Sequence, residues 1–497
     1  MRPFYNFSRV ASNEVVPVLL GLLTKQDEDA TDDEYNISRA AYQCLQLYAQ
    51  AVGATVIPPV IQFVEANLRS EDWHNRDAAV SAFGAIMDGP EEKVLEPIVK
   101  SGMQPLISMM DDPSVQVRDS TAYALGRITE ACSEAVDPAQ HLEPLLRSLF
   151  TGLLNSPKMG ASCCWALMNL AERFAGEFGA PQNPITPHFN EAVSNLLTVT
   201  ARPDCETAVR TAAYEVLNVF VQSAATESLA AIASLSDVII KRLEETIPMQ
   251  TQVVSVEDKI TLEDIQTSLC AVLQAIIQRL DKEIRPQGDR IMQVLLQILT
   301  TVGGKSLVPE AVFATISSLA NTMEEEFIKY MEAFSPFLYN ALGNQEEPSL
   351  CSMAIGLVSD ITRSMGERSQ PLCDNFMNYL LNNLRVCLSF SFLSLGTPRV
   401  SLQPRIALSS NTSYLEHYPF QSVQACHSPM LWRYCRRHLW PFRDVSFGRC
   451  SGTPASSDCY RHTRGLIRDV RLRRIPPRRH YGCMGWYYWR YEGQFQE

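Results

Sequence analysis

The chain has 497 residues, of which 46% are hydrophobic, and its formal net charge is −12. This length is sufficient for several domains or for one long array of repeats. The sequence lacks an uninterrupted apolar run of about 20 residues, which a membrane span needs, and its start, MRPFYNFSRVASNE, lacks the apolar core of a signal peptide. These features exclude the membrane and secreted classes and predict a soluble intracellular protein.

The net charge hides two compositions that are joined end to end. Residues 386–497 contain 16 arginines, no lysine and 6 acidic residues, a net charge of +10, whereas residues 1–385 carry a net charge of −22. The boundary between the two falls near Arg385.

Apolar residues of the body recur at helical spacing from Asn13 to Arg385, and proline and glycine stand mostly where the apolar segments end. Runs of β-branched residues with a period of two are lacking, so nearly all of the body is predicted to be helical. The clearest helical segments are VVPVLLGLL (15–23), VIPPVIQFV (56–64), PLISMM (105–110), PLLRSLFTGLL (144–154) and FSPFLYNAL (334–342).

A longer period runs through the same region. RDAAVSAFGAI begins at Arg76 and RDSTAYALGRI begins at Arg118, a step of 42 residues, and VRTAAYEVL from Val209 repeats the theme more loosely. Two helices in about 40 residues are typical of HEAT or armadillo repeats, in which each helix pair covers its apolar face by stacking on the next. The body is therefore predicted to be an all-α HEAT-repeat solenoid, a superhelix with two surfaces.

Arginine–aspartate pairs occupy matching positions of successive repeats, at Arg76-Asp77 and Arg118-Asp119. Their repetition favours a structural ladder of cross-repeat salt bridges and hydrogen bonds over a catalytic pair. No nucleophile with its base, phosphate-binding loop or metal-ligand cluster is recognisable. The 14 cysteines form no CxxC pair, and the adjacent pair at 163–164 cannot form a disulfide in a helix. An enzyme, a cofactor and a metal are not expected.

The stretch KQDEDATDDEYN (25–36) is the strongest local concentration of charge. Because like charges repel one another, it is predicted to be a loop between two helices, with Asn36 or Ser38 as the cap of the second. A solvated loop and a docking element for a basic partner, which charge would attract and orient, both fit this composition. The acidic residues are Asp27, Glu28, Asp29, Asp32, Asp33 and Glu34.

A second candidate lies in ASCCWALMNLAERF (161–174). Trp165, Asn169 and Glu172 are spaced so that they share one helical face. A tryptophan can cover the stem of a lysine or arginine while a glutamate pairs with its head. The alternative is that Trp165 belongs to the core. Trp73, at the start of another helix, is expected to be structural.

Several strings resemble the importin-β family of nuclear import receptors, in the family's order and spacing. The strings, which lie between about Asn6 and Arg385, are LLTKQDEDATDDEYN, SEDWHNRDAAVSAFGAIMDGPE, DDPSVQVRDSTAYALGRI, CWALMNLAE and EFIKYMEAFSPFL. The resemblance implies a HEAT solenoid whose acidic inner surface binds the basic importin-β-binding segment of an importin-α adaptor or of cargo. It also implies binding of Ran-GTP and of FG nucleoporins, and a location in the cytoplasm, the nucleus and the nuclear pore, without nucleic-acid binding or membrane insertion.

The resemblance assigns partner-binding roles to particular residues. The family's acidic loop corresponds to residues 27–34, and its tryptophan and glutamate that hold basic adaptor residues correspond to Trp165 and Glu172, whose helical face includes Asn169. Tyr35 stands where the family usually has a tryptophan, and a tyrosine can still stack on a cation. The sequence begins in what resembles the middle of the family's solenoid, so weakened Ran-GTP binding is expected and no FG pocket is assigned.

The resemblance stops at Arg385, inside a repeat whose second helix does not follow. The basic and aromatic residues of RRHYGCMGWYYWRYEG (478–493) suit a nucleic-acid strand. However, permitted codons read one nucleotide later turn HYGCMGWYYWRYEG into IMDAWGGIIGAMKG and residues 421–456 into another helical, HEAT-like string. The chain beyond about residue 420 is therefore predicted to be coding sequence translated out of frame, and residues 386–420 are predicted to be a retained intron.

The sequence thus predicts a poorly ordered start (1–12), a HEAT-repeat solenoid (13–385) and an aberrant, disordered, Arg-rich tail (386–497). The predicted function is nuclear import of proteins through capture of a basic segment, under the control of Ran-GTP. The alternative, from another class, is a HEAT-repeat scaffold that assembles a multiprotein complex such as a phosphatase, without a transport role.

Overall fold

Helices alternate along the chain between two rows, as the 42-residue step predicts. The computed structural model describes residues 6–26, 36–177, 179–303 and 305–394, with side chains up to Arg385, and within these ranges it contains helices and no strand. The prediction of an all-α HEAT-repeat solenoid is confirmed. The predicted tail lies outside the described residues from residue 395 onward.

The short helix α1 (Phe7–Val10) precedes the pairs. The first helices of the pairs, here called A helices, are α2 (Ser12–Leu23), α4 (Ile57–Asn67), α6 (Glu92–Met109), α8 (Glu143–Gly152), α10 (Phe189–Ala201), α12 (Leu229–Met249), α14 (Gly288–Thr301), α16 (Ile328–Gly343) and α18 (Cys373–Ser394). The second helices, here called B helices, are α3 (Ile37–Val52), α5 (Trp73–Ala85), α7 (Val115–Ala131), α9 (Pro157–Arg173), α11 (Thr207–Ser223), α13 (Val256–Leu280), α15 (Val308–Met323) and α17 (Pro348–Met365).

Short connecting turns lead from one helix to the next. The 3₁₀ turns are Gly53–Val56, Ser133–Ala135, Thr186–His188, Thr226–Ser228, Asp281–Gln287, Glu324–Phe327 and Gly366–Leu372, and one π-helical turn is Pro138–Leu142.

Several B helices begin at a side chain that accepts a hydrogen bond from the free backbone N–H groups of the first turn. Asn36, rather than Ser38, caps α3, and Asp72 and Ser156 cap α5 and α9. Ser255 begins α13 with a reciprocal capping box. These polar residues explain why the helices start where they do, directly after the connecting loops.

Successive B helices pack closely along one another, from α3 to α17, and the A helices lie against the same seam. Leucines that face the seam, such as Leu125, Leu167 and Leu217, are completely buried, and the apolar side chains form one continuous core through the stack. Because a single helix pair cannot cover its own apolar face, this burial between neighbours holds the stack together.

Small residues permit the close approach of the B helices. A Cβ atom added to Gly84 of α5 would lie 3.2 Å from the Cβ of Ala124 of α7. A Cβ added to Gly126 of α7 would lie 2.4 Å from Cε3 of Trp165 of α9. Only a glycine leaves room for the indole ring of Trp165 at this crossing.

The two aspartates of the predicted ladder reach the next B helix. Asp77 accepts a hydrogen bond from Gln26 Nε2 (2.7 Å) and another from Ser120 of α7. Asp119 accepts one from the hydroxyl of Ser156, the cap of α9. Burial raises the pKa of Asp77, and the hydrogen bonds from Ser120 and Gln26 oppose that rise.

The two arginines of the ladder meet at the loop before α7. Arg76 donates two hydrogen bonds to the carboxylate of Asp112, with distances of 2.8 and 2.9 Å. Arg118 donates to the carbonyl oxygens of Asp112 (2.6 Å) and Pro113 (3.2 Å). Burial alone would raise the pKa of Asp112, but hydrogen bonds from Arg76 and from the Ser114 N–H hold it below the usual range. Arg76 therefore fastens this loop to the preceding repeat, and Arg118 binds it from within the same repeat.

Three details differ from the sequence analysis. Phe7–Val10, within the predicted poorly ordered start, form one helical turn, and α18 continues past Arg385 to Ser394. Pro97 and Pro105 lie inside α6 rather than at a helix end. A proline interior to a helix removes one backbone hydrogen bond, and α6 nevertheless continues through both positions.

Two stretches, Ile37–Asn67 and Val256–Thr301, are long and apolar enough to cross a membrane by length and composition. Each contains two helices of the stack, and the backbone breaks between them at Gly53 (φ 61°) and Asp281 (φ 46°). Neither stretch is therefore one continuous helix, and core helices meet the same criteria of length and composition.

Replacing Gly126 by alanine is expected to destabilise the stack by about 1–3 kcal/mol, because the new methyl group overlaps the ring of Trp165. The matched control is Gly356→Ala in α17, where no atom lies within 4 Å of the added Cβ. It is expected to be neutral or to stabilise by ~0.5–1 kcal/mol through helix propensity. Urea unfolding followed by circular dichroism measures both. Equal stabilities of the two variants would contradict the tight crossing.

The Arg76–Asp112 pair predicts a pH-dependent contribution to stability. Its side chains are 14% and 5% exposed, so Asp112→Asn is expected to cost about 3 kcal/mol at neutral pH, because Arg76 loses its carboxylate partner and keeps only hydrogen bonds to the carbonyl oxygens of Ser70 and Glu71. Because the folded pKa of Asp112 is lowered, the contribution is present above the ordinary aspartate pKa of about 4 and is lost as the pH falls through the folded pKa. Urea titrations at neutral and acidic pH measure the free energy of unfolding, and the difference between Asp112→Asn and wild type should disappear in acid.

The control for this pair is Asp111→Asn, because Asp111 is the exposed neighbour of Asp112. A gap of the same size at both pH values, or an equal effect of Asp111→Asn, would show that the ion pair does not stabilise the loop.

Candidate partner-binding face

The acidic residues of the first motif, and the tyrosine that follows them, lie outside the described residues: Asp27, Glu28, Asp29, Asp32, Asp33, Glu34 and Tyr35. Both ends of their loop are described. Gln26 Nε2 donates to Asp77 and to the carbonyl oxygen of His74 (3.1 Å) at the start of α5, and Asn36 caps α3. The acidic segment therefore stands in the chain between A helix α2 and B helix α3, and the described residue before it, Gln26, lies beside the N-terminal end of α5.

Trp165 is almost buried, with 8% of its surface exposed. Its ring lies 5.7 Å from that of Tyr123 on α7, and the guanidinium carbon of Arg127, also on α7, lies 5.9 Å from its centroid. The ring is thus packed between two B helices and already contacts a cation of its own chain. The sequence left both a core role and a cation-stacking role open for Trp165, and the contacts show features of each.

Asn169 and Glu172 follow Trp165 on the same helical face, but their surroundings differ. Asn169 is half-buried and donates to the carbonyl oxygen of Gly126 (3.4 Å) and to the hydroxyl of Thr129 (3.3 Å). Glu172, in the last turn of α9, is exposed. Among these three candidates, only Glu172 is freely accessible to a partner, while Asn169 ties α9 to α7.

Arg127 is the charged centre of this region. It forms ion pairs with Asp88, which follows α5, and with Glu130 of its own helix (2.9 Å). Asp88 also accepts a hydrogen bond from Gln46 of α3 (2.8 Å). Through Asp88 and Gln46, Arg127 on α7 is linked to the turn after α5 and to α3. Its guanidinium also faces the ring of Trp165 on α9.

The electrostatics of the cluster follow from its burial. Burial disfavours the charge on Arg127, but the carboxylate of Asp88 and its other neighbours raise the pKa of Arg127 above its usual value. Burial likewise raises the pKa of Glu130, and the opposite charge of Arg127 counters this. The positive charge of Arg127 thus limits the rise in the pKa of Glu130 that burial causes.

Aromatic residues continue the cluster towards the start of the stack. The ring of Tyr42 on α3 lies 6.0 Å from that of Tyr123, in an edge-to-face arrangement. Burial raises the pKa of both phenols. Tyr42, Tyr123 and Trp165 therefore form a line of rings across the B helices, which we call the aromatic row.

Sequence reasoning did not single out Tyr42, Asp88, Tyr123, Arg127 or Glu130. Signals for four of them were present, because Tyr123, Arg127 and Glu130 lie one 42-residue step before Trp165, Asn169 and Glu172, and Asp88 lies one such step before Glu130. Tyr42 carries no such signal, and the contacts of all five depend on how closely neighbouring helices cross.

Comparison with known families agrees with this geometry. A family model described as importin subunit beta-1-like, TPR repeats, matches residues 144–389. A model of a HEAT-like repeat matches residues 73–128. Together these matches cover most of the described stack.

Individual relatives match over a longer range. Importin subunit beta-1 of Schizosaccharomyces pombe is 42% identical over 384 residues, which are 77% of this chain and 44% of that protein. A crystal structure of importin beta is 82% identical with a TM-score of 0.75, over 78% of this chain and 44% of that one. Kap95, solved with Nup1 and with RanGDP, is 34% identical with TM-scores of 0.70 and 0.69, over 76% of this chain and 44% of those chains.

The chain spans less than half the length of each of these relatives. Within that span the sequence identities and the TM-scores agree with one another. The chain belongs to the importin-β family of HEAT-repeat proteins.

Proposed function

We propose that this chain is part of a nuclear import receptor and that its B-helix face captures the basic importin-β-binding segment of an importin-α adaptor or of cargo. The proposal is one of binding without catalysis. Ran-GTP would release the bound segment, and FG nucleoporins would bind the receptor during passage through the pore. The chain would accordingly move between the cytoplasm and the nucleus and concentrate at the nuclear pore.

The observation that carries the proposal is the coincidence of acidic and aromatic groups on the B helices of an importin-β solenoid. Asp88, Glu130 and Glu172 belong to or adjoin three successive B helices, beside the aromatic row. The described residues that flank the acidic segment, Gln26 and Asn36, contact α5 and cap α3, the first helices of the same row. A partner that follows the row from α5 to α9 would therefore meet a carboxylate at each of these three B helices.

The physical mechanism is charge attraction followed by local pairing. Complementary charge increases the rate of encounter and orients the two molecules, whereas the affinity depends on the few groups that lose water at the contact. Glu172 is accessible for such pairing. Because basic residues of the partner can pair with different carboxylates along the helices, the face tolerates variation in the sequence of the basic segment.

Ran-GTP and FG nucleoporins are proposed as partners because of a relative. Structures of Kap95 are described with RanGDP and with Nup1, and this chain shares the fold of Kap95 over about three quarters of its length. Since it spans less than half of Kap95, each partner needs a direct binding measurement with this chain.

Neutralising the six acidic residues of segment 27–34 to asparagine or glutamine is expected to weaken binding of a synthetic importin-β-binding peptide on the order of tenfold at low salt. It should also flatten the salt dependence of the affinity, because fewer charges attract the peptide. Fluorescence anisotropy with the labelled peptide measures both. The control neutralises Glu91 and Glu92, exposed residues at the start of A helix α6. Absence of salt-sensitive peptide binding to the wild-type chain would instead favour a scaffold.

Glu172→Gln tests one accessible carboxylate without disturbing the core. It is expected to weaken the affinity for the peptide by about two- to fivefold, which corresponds to the free energy of one exposed ion pair, and to leave the thermal unfolding temperature unchanged. Glu191→Gln, an exposed position on A helix α10, is the control. Trp165→Ala is less informative because the buried ring supports the stack, so Trp165→Phe should accompany Glu172→Gln. Undiminished binding by the pair of substitutions would remove both residues from the role.

A further inference from the structure

Arg127 is held by groups that would equally suit a basic side chain of a partner. Its guanidinium lies between the carboxylates of Asp88 and Glu130 and at 5.9 Å from the ring centroid of Trp165. An aromatic ring beside two carboxylates is a typical environment for an arginine, because the planar guanidinium stacks on the ring while its N–H groups pair with oxygen atoms.

The accessibility of these groups differs in an informative way. The side chain of Arg127 is 10% exposed, whereas those of Asp88 and Glu130 are 32% and 33% exposed. Solvent, and therefore a partner, can reach both carboxylates from outside. The inner side of each carboxylate is taken by Arg127.

We propose that Arg127 is the resident occupant of an arginine-binding site formed by Trp165, Asp88 and Glu130, and that a basic side chain of a partner binds there in exchange for it. This inference rests on the proposed function and adds an internal competitor to it. Arg127 keeps the two carboxylates paired in the absence of a partner. On binding, its guanidinium moves towards solvent while the partner's guanidinium takes over the ring and the two carboxylates.

Exchange has two consequences for recognition. One cation replaces another, so this site contributes little to the salt dependence of binding, which instead comes from exposed acidic groups. The site also discriminates between basic side chains, because a lysine ammonium cannot pair with both carboxylates and lie flat against the ring as a guanidinium does. A partner's arginine competes with Arg127 on equal terms, and a lysine does not.

The experiment is a titration of the synthetic importin-β-binding peptide into the wild-type chain, Arg127→Gln and Arg147→Gln, at low and at physiological salt. Arg147 lies on A helix α8 and pairs with Glu143, so Arg147→Gln makes the same change in net charge away from the site. Isothermal calorimetry gives the affinities, and circular dichroism melts monitor folding.

Arg127→Gln is expected to bind the peptide on the order of tenfold more tightly than wild type and with a steeper salt dependence, because the vacated carboxylates attract the peptide without competition. Arg147→Gln should stay within about twofold of wild type. A merely structural Arg127 would instead give weaker binding together with a lowered melting temperature, and that result would overturn the inference, as would an equal gain in both variants.

Arg127→Lys keeps the positive charge and decides the question if Arg127→Gln fails to fold. A lysine pairs less firmly with the ring and the carboxylates than an arginine does. Arg127→Lys is therefore expected to bind the peptide more tightly than wild type and less tightly than Arg127→Gln. Unchanged affinity in this variant would overturn the inference. Absence of peptide binding to the wild-type chain would refute the proposed function itself, a result distinct from normal binding without a gain on removing Arg127.

Discussion

The apolar seam between successive B helices is the contact on which this structure depends. Each helix pair leaves an apolar face that only the next pair can cover, so stability accumulates along the stack instead of in one central core. The seam needs close crossing, and that requirement explains why glycine or alanine stands at the tightest points, as at Gly84 and Gly126. The same crossing brings the ring of Trp165 against α7.

Polar groups give the stack its alignment. Apolar side chains tolerate sliding, whereas a two-bond pair such as Arg76 with Asp112 forms in only one relative position. The hydrogen bonds of Asp77 and Asp119 to serines of the following helices repeat this device. The cost of burying these charges is offset only while every partner is in place, so the loops and caps that precede the B helices are part of the folding unit.

The candidate binding face is a product of both effects. Close stacking lines up Tyr42, Tyr123 and Trp165, and the connecting loops bring Asp88 beside Arg127. In the chain alone the carboxylates of Asp88 and Glu130 pair with Arg127. A basic partner would therefore first meet exposed carboxylates, which attract it by charge. Selective pairing would follow as a second step, in which the ion pairs of Arg127 rearrange.

The sequence alone determined the helical class, the two-helix repeat and the resemblance to the importin-β family, because apolar spacing and a 42-residue step are local properties that stacking must obey. It also indicated that Trp165, Asn169 and Glu172 share a face. Only the tertiary structure decided that Trp165 is nearly buried beside Arg127 while Glu172 is exposed. Spacing along one helix cannot reveal this, because burial depends on how closely the neighbouring helices cross and on which side chains they bring with them.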